Sequence, residues 1–451
     1  MLERHLPEEE LRQIRQLGKV DIVIGIPSYN NVRTRGHGVR AAPAGLAKYF
    51  PQFSSVIINS DGGSTDGTRE AVLSSNVEDA HLLMLATPKF PVHRLSLPYH
   101  GIPGKGSAFR LIFRLAEMFE AKAAVVVDSD LRSITPEWFD LLLRPVLYAD
   151  HDFVAPYYHR HKYDGTITNS IVYPLTRSLY GYRVRQPIGG DFGVSGRLVS
   201  RYLQRTDWET DVARYGIDIW MTTIALAEGY RVCQSFLGAK LHDAKDPGAD
   251  LSAMLLQVVG SVFTLMHEYE AVWKARSGSE PVDLFGFRFD VGLDPIDVNV
   301  NRMLAAFAKG CKDLAEIWSL ALGQDVLEPL LRLGRQAAAL DAGFHMPDEL
   351  WARIVCDFAI AHRYKPPERS HLLRSLTPLY LGRVASFVIE TQNLLSAQVD
   401  EKIENLCLCF EALKPHLRER WDALQAPPQR KADKPARTAG PEPAAVEVPK
   451  P

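Results

Sequence analysis

The stretch AAVVVDSD (123–130) sets a run of five small and β-branched apolar residues directly ahead of two aspartates on alternate positions. An apolar run with no polar alternation suits a strand buried on both faces, as in a sheet covered by helices on each side. The same pattern recurs in DIVIGIPS (21–28), SVIINSD (55–61), HLLMLAT (81–87) and DFVAPYY (152–158). Helical candidates at 39–50, 65–74, 105–121 and 136–147 separate these runs. Strands alternating with amphipathic helices predict an α/β fold built on a parallel sheet. Such sheets bind ligands beyond the carboxyl ends of their strands, which is where Asp128 and Asp130 fall.

Downstream of Thr168 the pattern loosens, and QPIGGDFGVSG (186–196) reads as a glycine-rich break. A helix over 217–228 and a strand over 231–237 follow, and the strand runs into KLHDAKDP (240–247). Helical periodicity then dominates at 251–275, 300–322, 326–341, 347–361 and 378–413, with a turn-rich connection over 278–295. The expected organisation is an N-terminal helix (1–19), an α/β domain (20–250), a helical region (251–425) and a disordered tail (426–451). In the tail, five basic residues face three acidic ones among Pro and Ala, too little apolar surface to order the segment.

The composition of the 451 residues fits this division. With 46% hydrophobic and 24% charged residues the chain can bury a large core, so fibrous and wholly disordered classes are excluded. A net charge of -2 supplies no general field for nucleic acid. No apolar run reads as a bilayer span of ~20 residues, and the charged start of the chain lacks a signal-peptide core. Cys233, Cys311, Cys356, Cys407 and Cys409 show no zinc-ligand spacing, and they predict reduced thiols and a cytoplasmic protein.

Chemistry concentrates at the strand ends. Alternate carboxylates in Asp128-Ser129-Asp130 can offer oxygen ligands to a hard divalent cation, although Asp-x-Asp in a loop is often a solvated turn. GIPGKGSA (101–108) opens a helix, and its glycines and Lys105 suit an approach to phosphate or sugar. The spacing rules out a Walker A loop, because only two residues separate Gly101 from Gly104 and Gly106 follows the lysine. IPSYN (26–30) and NSDGGSTDGT (59–68) carry the small and polar groups that can hold a base and ribose, with Asp66 as a helix N-cap; ordinary turn chemistry gives the same composition. His242, after the last α/β strand, can complete a metal shell, and Asp218 in YGIDIW can cap a helix or face a reacting sugar.

In order, IPSYN, NSDGGSTDGT, PGKGSA, DSD, QPIGGDF, YGIDIW and LHDAKD resemble the motif series of GT-A-fold glycosyltransferases, most closely the glucosyl-3-phosphoglycerate and mannosylglycerate synthases. The likeness spans roughly residues 20–245. It implies a doubly wound mixed sheet followed by a helical region, and a UDP- or GDP-hexose donor lying across the switch point of the sheet. Pro27, Ser28, Asn30 and Asp61 would line the nucleoside pocket, Lys105 would meet the diphosphate or sugar, and Asp128 the ribose or sugar hydroxyls. Asp130 with His242 would hold Mg²⁺ or Mn²⁺, Gly189 and Gly190 would admit sugar and acceptor, and Asp218 would stabilise the sugar centre in a retaining transfer. In an inverting enzyme Asp218 would be the general base.

One departure bears on the acceptor. The phosphoglycerate-using enzymes read Gly-Arg-Val-Thr-Glu where this chain reads Gly165-Thr166-Ile167-Thr168-Asn169. The missing arginine predicts a small unphosphorylated hydroxy acid such as D-glycerate, met by Thr166, Thr168 and Asn169, while Arg160 or Lys162 could restore a phosphate site. Transfer to 3-phosphoglycerate, or inverting transfer to a glycan or lipid, is the alternative. A sugar-phosphate nucleotidyltransferase would need a glycine-rich loop directly after the first strand, and a decayed scaffold would have lost an acidic or histidine ligand. The resemblance leaves the helical region from about Gly310 unexplained, and its surface is a candidate homodimer face.

Overall fold

The structure, a computed structural model, describes residues 8–30, 36–68, 90, 92–99, 101–241, 251–289, 292–293, 295–340, 343–364 and 369–424. Ten strands are described: β1 (Ile22–Ser28), β2 (Ser55–Asp61), β3 (Val92–Pro98), β4 (Ala123–Val126), β5 (Phe153–His159), β6 (Tyr182–Arg183), β7 (Phe192–Ser195), β8 (Val232–Ala239), β9 (Glu280–Pro281) and β10 (Asp283–Phe285). Eight of them form one sheet in the order β10-β8-β5-β7-β4-β1-β2-β3, and β6 pairs with β9 apart from it.

All pairings in the large sheet are parallel except those of β7, which runs antiparallel to both β4 and β5. The sheet is therefore mixed, as the resemblance implies, where strand periodicity alone predicts a parallel one. The reversal lies in the stretch that reads as a glycine-rich break: Phe192–Ser195 is only four residues long, carries Gly193 and is wholly buried. From β1 the chain goes outward to β2 and β3, then returns to place β4 on the other side of β1. That reversal makes the β1/β4 boundary the switch point, and a crevice opens beyond the carboxyl ends of these strands.

The third strand is VHRLSLP, Val92–Pro98, paired in register with β2. The apolar run 81–87 lies outside the described residues, as do most of 65–74 and all of the tail. β3 lies at the sheet edge, and its first three residues are only half buried, so its sequence lacks the continuous apolar run of a central strand.

One large apolar cluster runs from Leu11 on the first helix through Trp208 and Trp220 to Trp351 and Trp421 in the helical region. A second fills the other face of the sheet, between β1, β4 and the helices Gly36–Tyr49 and Pro136–Tyr148. Residues 280–285 return to the α/β body as β9 and β10. The helical region thus shares its core with the α/β part. Its helix Arg369–Thr391 is long and apolar enough to cross a membrane, but 61% of the apolar window is buried inside the protein. Arg383 on that helix donates to the Met346 carbonyl at 2.8 Å and to Asp348, as expected of a core helix.

Within this core His362 packs against Phe263, ring centroids 5.7 Å apart, at 6% exposure. Burial, helped by the charge of Arg369, lowers its pKa from 6.5 to about 4. The unfolded chain therefore binds the extra proton between these values, so His362 contributes stability above pH 6.5 that is lost as pH falls towards 4. Between those limits stability is expected to drop by up to about 3 kcal/mol. His362→Leu should flatten that part of a chemical-denaturation series; an unchanged slope would show that other groups set it.

Candidate active site

The crevice at the switch point holds a buried cluster of five charged groups. Lys105 begins the helix Lys105–Met118, and its Nζ lies 2.8 Å from Asp128 Oδ1 and 3.1 Å from Asp218 Oδ1. Lys240, just past β8, reaches in from the other side to Asp128 Oδ2 at 3.2 Å and Asp191 Oδ2 at 3.0 Å, and donates to the Gly189 carbonyl at 2.6 Å. Asp191 Oδ1 accepts from the Asp128 amide at 2.8 Å, and the Tyr158 hydroxyl donates to its other oxygen. Asp128 is thereby gripped by a lysine on each oxygen.

Local backbone makes this approach possible. Gly190 has φ +94, and a Cβ there would lie 2.1 Å from Asp128 Oδ2 and 3.0 Å from Lys240 Nζ. An alanine at 190 would therefore both strain the backbone and displace the ion pairs. The glycines of PGKGSA are also needed for packing. A Cβ on Gly104 or Gly106 would strike the backbone carbonyls of Ala213 and Val212, at 2.4 and 1.7 Å. They let the start of the Lys105 helix pack on the turn that leads to Asp218 in the helix Ile217–Ala227. This packing brings Lys105 and Asp218 together.

Three carboxylates share two ammonium groups out of water, and their protonation preferences diverge. Burial works against charge on Asp128, but Lys105 and Lys240 outweigh it and hold the carboxyl well below its usual range. Burial pushes the Asp191 carboxyl up, with Lys240 opposing, and does the same to Asp218, with Lys105 opposing. Both lysines are desolvated, yet the surrounding carboxylates raise their pKa values, so each stays a cation. Two desolvated ammonium groups beside one strongly ionised aspartate offer partners to a ligand that carries both anionic and hydroxyl groups.

The other strand-end candidates form an adjoining wall. Ser28 donates to Asp61 Oδ1 at 3.0 Å, and Asp61 also accepts from the amides of Gly63 and Ser64 at 3.0 and 2.9 Å. Asn30, with φ 50, accepts on its side-chain oxygen from the Thr65 amide at 3.0 Å, and its own backbone amide donates to the Ser64 hydroxyl at 2.9 Å. Pro27 lies in β1 between them and the sheet. Asp66 accepts from the Thr68 amide at 3.0 Å, a cap-like bond. Pro27, Ser28, Asn30 and Asp61 therefore belong to one wall, with Tyr29 62% exposed on it.

Asp130 occupies the turn after β4, half buried. His242 lies outside the described residues, but Leu241 before it is anchored to the same turn, its carbonyl accepting from the Arg132 amide at 2.9 Å and its amide donating to Ser133 at 3.0 Å. Among the described residues no three His, Cys, Asp or Glu side chains gather into a metal cluster.

In the segment expected to meet the acceptor, Arg160 lies 5.8 Å from the Tyr158 ring, and its buried Nε forms an ion pair with Asp164 Oδ2 at 3.3 Å without hydrogen-bond geometry. Thr166 and Thr168 are buried, and the Thr166 hydroxyl is 2.6 Å from that of Tyr380. Asn169 Oδ1 accepts from Arg185 at 2.8 Å. Lys162 points away and donates to the carbonyls of Thr391, Gln392 and Leu394 at 2.6–3.2 Å.

Lys240, Asp191 and Tyr158 are the site residues that sequence reasoning misses. Lys240 ends the last long strand two residues before His242, and Asp191 follows the Gly189-Gly190 pair. Both signals are visible once the strand ends are known to converge.

No family model and no curated protein matches this chain. Its neighbours among solved structures include glucosyl-3-phosphoglycerate synthases from Mycobacterium tuberculosis. The complex with Mn²⁺, UDP and phosphoglyceric acid matches 56% of this chain and 82% of its own, at 20% identity and a TM-score of 0.41. The complex with Mg²⁺ and UDP matches 58% and 85%, again at 20% identity and a TM-score of 0.41. A likeness this loose assigns no activity by itself.

Proposed function

We propose that this protein is a divalent-cation-dependent, retaining glycosyltransferase that moves a hexose from a nucleoside-diphosphate sugar to a small hydroxy acid. The observation that carries the reading is Asp128 held between Lys105 and Lys240 at the switch point, beside Asp218 and Asp191. Pro27, Ser28, Asn30 and Asp61 would receive the nucleoside. Lys105 would turn from the carboxylates to the diphosphate, whose charge grows as the sugar bond breaks, so its help is greatest in the transition state. Asp128 would accept from ribose or sugar hydroxyls, and Asp218 would face the developing positive charge at the sugar carbon. Gly189 and Gly190, which lack side chains where Pro156 and the Asp128–Lys240 pair pack, would present their backbone to both partners.

Both Asp128 oxygens are committed to lysines, which leaves Asp130, half buried at the mouth of the crevice, as the hard oxygen donor for a cation. Asp130 and His242 would hold Mg²⁺ or Mn²⁺, which when bound supplies charge neutralisation for the leaving diphosphate. Asp130→Ala is therefore expected to abolish turnover with the melting temperature unchanged, because a half-buried ligand in a strand-end turn does not support the core. Full activity of that variant in EDTA would remove the metal from the reading.

For the acceptor, Arg160 is the cation on segment 160–169 that faces Tyr158, while Lys162 is engaged by helix-end carbonyls. One guanidinium suits one carboxylate. D-glycerate or a similar unphosphorylated hydroxy acid is the acceptor we infer, and kcat/KM for glycerate against 3-phosphoglycerate tests it. A tenfold preference for the phosphorylated acid would overturn the choice of acceptor and leave the transfer intact.

A further inference from the structure

Segment 160–172 runs from the charged cluster into the helical region and is tied there along its whole length. Lys162 closes the carboxyl end of the helix Arg369–Thr391, donating to the Thr391 and Gln392 carbonyls at 2.6 and 3.0 Å. Thr166 and Tyr380 share a buried hydroxyl pair at 2.6 Å, on the same helix. Trp351 Nε1 donates to the Ser170 carbonyl at 2.7 Å from the helix Asp348–Tyr364. Arg185, which holds Asn169, lies 3.7 Å from Asp400 on the helix Ser396–Ala423. Between these ties the segment makes one π-helical turn, Thr168–Val172, an irregular geometry that persists only where its surroundings impose it.

We propose that the C-terminal helices are the template that sets the shape of the acceptor segment, with Tyr380 as its positioning residue. This rests on the reading of 160–169 as the acceptor side of a transferase. The helical region would then act on the reaction from behind the loop, without touching either substrate. Where an arginine would reach forward to an acceptor, Thr166 instead reaches back to Tyr380, and the segment's placement depends on a residue more than two hundred positions away.

The geometry makes the pair separable from general stability. Tyr380→Phe leaves the Thr166 hydroxyl buried without its partner, whereas Thr166→Val with Tyr380→Phe removes both polar groups at nearly constant shape, which is close to neutral for folding. Acceptor kinetics, UDP affinity by calorimetry and amide hydrogen exchange of residues 160–172 are measured on the full chain for both variants and for Lys162→Met. Expected are faster exchange in 160–172 for Tyr380→Phe and Lys162→Met, an acceptor KM about tenfold higher in each, and UDP affinity within twofold of wild type. The double variant should regain the melting temperature but keep the raised acceptor KM, because the loop loses its directional tie.

Unchanged exchange in 160–172, or an acceptor KM within twofold of wild type, would overturn the template. A parallel loss of UDP affinity would overturn it as well, by showing a general disturbance of the site. If wild type released no nucleoside diphosphate from any donor, the transferase reading and the acceptor role would both fall. The exchange measurement would still show separately whether the helices hold the segment.

Discussion

Replacing Lys105 with methionine is expected to cut transfer by about 10²–10³-fold, the loss typical of removing one preorganised group that stabilises transition-state charge. Lys105 lies within 3.3 Å of Asp128, Asp218 and the Gly190 carbonyl, so it is already desolvated and aimed where a diphosphate would sit. Methionine keeps the length of the side chain and its contact with Phe109, over which the ammonium lies at 5.2 Å. Asp128 keeps its second lysine. Asp218, buried and paired with Lys105, loses its cation, so a loss of stability is expected beside the losses in kcat and UDP affinity. Saturating donor kinetics and UDP titration check it, and a variant with wild-type kcat would exclude Lys105 from the chemistry.

Lys240→Met is expected to act mainly on stability, costing about 3–5 kcal/mol, because it strips the cation from a carboxylate that has no contact with water. Asp191 is fully buried and would keep only the Tyr158 hydroxyl and the Asp128 amide. Lys240→Met with Asp191→Asn removes both charges together and should regain most of that loss, since the penalty comes from the stranded partner. Denaturant melts of the two single variants and the double variant give the coupling. Additive losses would show that the two groups do not act as a pair.

The legible parts of this fold share one property: they are decided locally. β1, β4 and β5 announce themselves because a strand buried on both faces opens with an apolar run that no polar position interrupts, and β2 keeps such a run in Val56–Ile58 before its polar end. β3, with His93 and Arg94 on a half-covered edge, and β7, four residues interrupted by glycine, are stabilised by neighbours distant in sequence and carry no such signature. The same division holds in the site. Lys105, Asp128 and Asp218 sit in short motifs, whereas the pairing of Lys240 with Asp191 joins residues 49 positions apart. Thr166 shows the limit most clearly. Its sequence context offers a hydroxyl to an acceptor, and only the fold reveals Tyr380 as the partner.

If the lysine-gripped Asp128 at the switch point serves a nucleotide-sugar transfer, as proposed, the nucleotide released identifies the reaction. The full chain is incubated with Mg²⁺ or Mn²⁺, UDP- and GDP-hexoses and D-glycerate, and in a parallel reaction with nucleoside triphosphates and hexose 1-phosphates, and the nucleotide or pyrophosphate released is identified. The account predicts a nucleoside diphosphate in equal amount with a hexosyl glycerate, dependent on the cation and lost in Lys105→Met. Release of pyrophosphate from a nucleoside triphosphate and a sugar phosphate, with no turnover of any nucleotide sugar, would contradict it.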